Sequence, residues 1–205
     1  AVGSRERIEM LLAELDPASE QAADAVPGLL AALRNSETDA TLRERSAAML
    51  GRIGEPARGA VTVLIDILDR VRLSKPSVSP DGQSSSEADP SYWVMKSLGL
   101  FGDVAADAVS TVSRILTSPA SSAKLRVLAA DTLGQIRTAA SIDVLTIELM
   151  KPRRLSDYES IVLRQTIIDS LALAGPLAAG AVPALVRALE DDNANVRRKA
   201  CDTLG

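Results

Sequence analysis

Cys201 is the single cysteine of this 205-residue chain, and the chain has no histidine. A thiol becomes a nucleophile with a neighbouring base, usually His, and a zinc site needs several Cys or His ligands. Neither set is present. Cys201 follows Ala200 in the middle of a helical pattern, where a small buried hydrophobe is the expected role. No Gly-rich phosphate loop follows a strand pattern, and no Gly-x-Ser-x-Gly elbow occurs. Carboxylates alone can catalyse, but no pair stands out. The expectation is a non-enzyme with no catalytic residue, no metal site and no cofactor.

The remaining chemistry lies in charged columns. Arg43, Arg126, Arg164 and Arg197 recur at one position of a repeating pattern, and Asp131, Asp169 and Asp202 at another. Such columns can face a partner. The favoured reading is structural: hydrogen bonds and ion pairs between neighbouring units, because repeats contact mainly their neighbours. Two basic clusters, Lys151-Pro-Arg-Arg154 and Arg197-Arg-Lys199, can reach phosphate. Acidic residues flank the second, which favours a solvated helix start. Trp93 and Tyr92 suit a binding anchor and a core plug equally well.

These columns exist because the chain repeats. Leu125-Arg-Val-Leu-Ala-Ala-Asp-Thr-Leu-Gly134 shares its core with Val196-Arg-Arg-Lys-Ala-Cys-Asp-Thr-Leu-Gly205 and with Leu42-Arg-Glu-Arg-Ser-Ala-Ala-Met-Leu-Gly51. The aligned leucines are Leu15, Leu50, Leu98, Leu133, Leu171 and Leu204, spaced by 35, 48, 35, 38 and 33 residues. A period in that range marks a helical repeat array. A second column fixes the register. Val26, Leu29, Leu33; Val61, Leu64, Leu68; Val109, Val112, Leu116; Ile142, Leu145, Leu149; and Val182, Leu185, Leu189 each stand at i, i+3 and i+7. That spacing puts three apolar side chains on one helical stripe, which one hairpin cannot cover alone. Gly54, Gly102 and Gly175 fall between paired helices, where a helix ends in a left-handed residue.

The expected fold is all-α: a right-handed α-solenoid, or α-α superhelix, of about five and a half helical hairpins in a single domain over 1–205. The predicted units are 4–35, 40–73, 90–117, 121–150 and 157–190, with a half unit at 194–205. Within them, helices are expected at 4–15, 24–35, 40–53, 57–73, 90–101, 104–117, 121–136, 139–150, 157–174, 177–190 and 194–204. The Ser- and Pro-rich stretch 74–89 explains the long spacing and is expected to be a flexible insertion.

Asp191-Asp-Asn-Ala-Asn-Val-Arg-Arg-Lys-Ala-Cys-Asp-Thr-Leu-Gly205 resembles the HEAT-repeat family. It is most similar to the short bacterial HEAT-like units also found in phycobilin lyase subunits. The signature is an acidic or Asn-rich turn, then Val-Arg, Ala and Ala-Leu-Gly. The third unit departs from it, with Pro90-Ser91 in place of Val-Arg. The resemblance implies a scaffold, armadillo-like in architecture, that binds another protein. It also admits a DNA-glycosylase-like nucleic-acid binder and a tetrapyrrole lyase or accessory subunit. A pI of about 5.0 and an aromatic content of 2% oppose nucleic acid as the partner.

A protein partner is expected to meet the second helices at Arg34, Asp66, Asp69, Arg114, Arg187 and Glu190, whose signs alternate. No apolar run is expected to span a membrane, and a cytoplasmic location is expected, an exported mature form being compatible too. Val196, Ala200 and Leu204 of the half unit are expected to need a following helix, so further repeats or a partner should cover that end.

Overall fold

Ala and Leu favour the helix intrinsically, and with so few aromatic rings the core must be built from aliphatic side chains. The computed structural model follows from that. It describes residues 2–35, 38–73, 89–151 and 158–205, and among these no strand occurs. The helices are α1 (Val2–Glu14), α2 (Ala22–Arg34), α3 (Ala40–Ile53), α4 (Gly59–Leu73), α5 (Pro90–Phe101), α6 (Val109–Thr117), α7 (Ala123–Ile136), α8 (Ala139–Met150), α9 (Tyr158–Ala174), α10 (Val182–Ala188) and α11 (Ala194–Leu204). The insertion expected at 74–89 lies outside the described residues except for Asp89. So does the basic joint 151–154, except for Lys151.

Two predicted second helices begin differently from expectation. Residues Gly102–Ala108 and Gly175–Ala181 form 3-10 turns before α6 and α10 start. Gly102 and Gly175 stop the preceding helix at φ 58 and 54, a region that disfavours any Cβ. The tighter turn then buries Ala105, Ala108, Ala178 and Ala181, whose small side chains let it lie close to its neighbours.

Polar caps fix several starts. Asp39 accepts from the amides of Thr41 and Leu42 at α3, Asp89 from Ser91 at α5, and Asn193 from Asn195 and Val196 at α11. Thr138 and Ser141 form a reciprocal capping box at α8.

The chain divides into two compact units, Ala1–Ala108 and Val109–Gly205. In the first, α3 packs on α2 and α5, and α4 on α5. In the second, α7 packs on α6 and α9, α9 on α11, and α8 on α10. Each unit is therefore a stack of helical hairpins, first helix on first helix and second on second, which is an α-solenoid arrangement. The division falls inside the predicted third hairpin, between α5 and α6.

The predicted stripes form the core. Leu29, Leu33, Leu64, Leu68, Val112, Leu116 and Leu145 are buried almost completely. The fifth stripe departs from this: Leu185 is buried, but Val182 and Leu189 are exposed. One stretch has the length and composition of a membrane span, which by itself does not establish a membrane segment. Tyr158–Ala188 contains a window of mean hydropathy 1.5, apolar and long enough to cross a membrane by length and composition. In the fold this stretch is α9, a glycine-initiated turn and α10; Leu163, Ile167, Ile168, Leu171 and Leu185 are buried in the stack, whereas Leu173, Leu177, Val182 and Val186 are exposed.

Candidate interaction surface

The arginine column reaches the loops and helix ends of its own stack. On α7, Arg126 Nε donates to the carbonyl of Leu116, near the end of α6, at 3.2 Å. There the cation meets the negative pole of a helix. Its Nη2 lies 3.9 Å from Glu148 Oε1 on α8. On α9, Arg164 Nη2 donates to Asp191 Oδ1 at 3.0 Å, and Nε lies 2.7 Å from Oδ2. On α11, Arg197 Nη1 donates to the carbonyls of Asp191 and Asp192 at 2.7 and 3.0 Å. Arg43 on α3 is half-buried, and its Nε finds no hydrogen-bond partner among the described residues.

The aspartate column faces outward. Asp131 accepts from Gln135 Nε2 at 2.9 Å, Asp169 receives Lys199 Nζ at 2.6 Å on Oδ2, and Asp202 is exposed. The basic cluster 197–199 is thus divided: Arg197 bonds to carbonyls, Lys199 pairs with Asp169, and Arg198 faces solvent.

The residues expected to meet a partner fall in both compact units. Arg34 and Asp66 are exposed and Asp69 is half-buried in the first unit. Arg114, Arg187 and Glu190 are exposed in the second. Arg114 Nη2 donates to Thr111 Oγ1 at 2.9 Å. Arg187 Nη1 donates to the carbonyl of Met150, the last residue of α8, at 3.0 Å, so this side chain also ties α10 to α8.

Four features were not legible in the residue pattern. Trp93 is only 6% exposed and belongs to the core, which removes it as a binding anchor. Tyr92 is half-buried, and burial first, with Asp89 second, raises its phenol above the ordinary value. Glu148 is buried, with Lys151 Nζ 2.5 Å from its Oε2; its place three residues after Leu145, on the apolar stripe, was the available signal. Cys201 is exposed, contrary to the expected buried role: no described residue covers that face of α11.

The main exposed apolar feature of α10 is a second stripe. Ala184, Leu185 and Ala188 are buried, whereas Val182, Val186 and Leu189 are exposed at i, i+4 and i+7.

Residues 166–205 match the family model described as HEAT-like repeat. The chain carries a HEAT-like repeat. The match covers α11, α10 and most of α9, so the hairpin carrying the exposed stripe is itself of HEAT-like build. No curated protein matches the chain. Among solved structures, human deoxyhypusine hydroxylase in complex with glycerol is similar at 18% identity and a TM-score of 0.46, over 89% of this chain and 73% of that one. That likeness carries no inference about chemistry here.

Proposed function

We propose that this helical repeat protein is an interaction scaffold that binds another protein. The observation that carries the reading is the exposed stripe Val182, Val186 and Leu189 on α10, flanked by Arg187 and Glu190. Apolar patches rimmed by charge mark protein-contact surfaces, because burying them releases water while the rim sets orientation. The HEAT-like match supports the same reading. Affinity capture from the native source tests it, comparing the wild-type chain with Val186→Lys and with charge reversals at Arg34, Asp66, Arg114 and Glu190. Loss of a specific co-purifying protein in at least one variant is expected; an unchanged set of captured proteins in all of them overturns the assignment.

A further inference from the structure

Within the second compact unit, α8 lies in the middle of the stack of second helices. It packs on α6 and on α10, with α7 and α9 behind it. Its stripe Ile142, Leu145 and Leu149 is buried among them. On its other side Ile147 is 62% exposed and Met150, one turn on, 42% exposed. These two apolar side chains face outward although both neighbouring helices are in place.

The repeat register says what flanks them. Ile147 stands five residues after Ile142, the first residue of its stripe. The same position holds Arg114 on α6, five after Val109, and Arg187 on α10, five after Val182. All three are exposed. Arg187 is tied to the spot itself, since its Nη1 donates to the carbonyl of Met150 at 3.0 Å. Arg114 is held on its own helix, where Nη2 donates to Thr111 Oγ1 at 2.9 Å. A guanidinium has several N–H donors, so one such bond positions it without exhausting it.

The row across α6, α8 and α10 is therefore cation, apolar, cation. Packed helices stand about 8–10 Å apart, so the three side chains are spaced by about that distance. A polyproline-II segment makes one turn every three residues, about 9 Å along its axis. Every third side chain then faces the same way, which sets an acid, an apolar residue and a second acid opposite Arg114, Ile147 and Arg187. A β-strand presents alternate residues about 7 Å apart and falls out of step. The acids of this surface bound the row: Asp143, one turn before Ile147, and Glu190, at the end of α10, are exposed, while Glu148 is buried and engaged by Lys151. A uniformly acidic segment would be repelled by Asp143 and Glu190, so charge favours one whose carboxylates are confined to the two arginines.

We propose that Arg114, Ile147 and Arg187 dock a short segment of a partner protein with the pattern acid-x-x-apolar-x-x-acid. It lies across the helices in polyproline-II conformation, with its apolar side chain on Ile147 and Met150. This names the chemistry of the partner and rests on the scaffold reading, which the capture experiment tests separately.

The test uses the full chain and fluorescent peptides with Glu, Leu and Glu at that spacing and Pro, Ala or Ser at the variable positions. Comparison sets move the Glu residues one place closer or further, or replace them by Gln. Fluorescence anisotropy is expected to show binding that favours the proposed spacing and weakens with added salt. Affinity is expected to drop about tenfold or more on Arg114→Glu, Arg187→Glu or Ile147→Asp. Arg198→Glu makes the same charge change at an exposed site on α11 and should leave binding unchanged. Circular dichroism checks that each variant stays folded; Ile147→Asp removes no hydrogen-bonding side chain, so it decides the matter should a reversal perturb the fold. No binding, no preference for the spacing, or an equal loss with Arg198→Glu overturns the inference even if capture yields a partner. So does preferential binding of a single-stranded oligonucleotide, or self-association that the arginine reversals abolish, which would put nucleic acid or a second copy on the row. Capture that fails while the peptides bind with this selectivity would count against the α10 stripe and for this row.

Discussion

Asp191 ties three neighbours together. Its carboxylate takes Arg164 of α9 and the amide of Asn193, and its carbonyl takes Arg197 of α11. Both side chains of the Arg164–Asp191 pair are nearly buried, so removing one leaves the other desolvated and uncompensated. Asp191→Ala is expected to lower stability by about 3 kcal/mol in urea unfolding. Asp169→Ala, which breaks a pair open to solvent, is expected to cost about 1 kcal/mol or less. The repeat alignment located Arg164 in its column, but could not say that its partner is Asp191, 27 residues on. Tyr92 gives a pH test. Its folded-state value is raised above the ordinary phenol value of 10.0, so its contribution is complete below that pH and is lost as pH climbs through the raised value. Tyr92→Phe should therefore flatten the alkaline end of a stability–pH curve, measured by denaturant midpoint between about pH 9 and 11.

At the scale of elements, the Leu-Gly step gains its reason from helix approach. Gly134 lets α7 and α9 come so close that Ser170 Oγ donates to the carbonyl of Ala130 at 3.3 Å. Gly134→Ala forces Ser170 or the helix itself to move, and a loss of about 1–3 kcal/mol in thermal unfolding is expected. Gly59→Ala is the control: nothing lies within 4 Å of the added atom, and alanine favours the helix, so no loss is expected. Both glycines fall in segments expected to be helical, 57–73 and 121–136. Only the distance between two helices separates the one that must be glycine from the one that need not be.

For the whole molecule, each hairpin is covered chiefly by its neighbours, so damage should stay local. Leu145 is fully buried on α8. Leu145→Ala is expected to cost about 2–5 kcal/mol and to speed amide exchange in α7 to α10 well before α2 to α4. Equal acceleration throughout the chain would show instead that the two compact units unfold as one.

What the sequence determined by itself was periodic: the helical class, most helix boundaries to within a few residues, the hairpin register and the buried stripes Val61–Leu68 and Ile142–Leu149. These follow from the 3.6-residue turn and from residue types, both local properties. Tertiary structure decided which equivalent positions are equivalent in fact. Val182 and Ile142 occupy one column, as do Cys201 and Ala130, yet one of each pair is exposed and the other buried. Burial is a property of what lies opposite a side chain, and a repeat pattern states only which face the side chain is on.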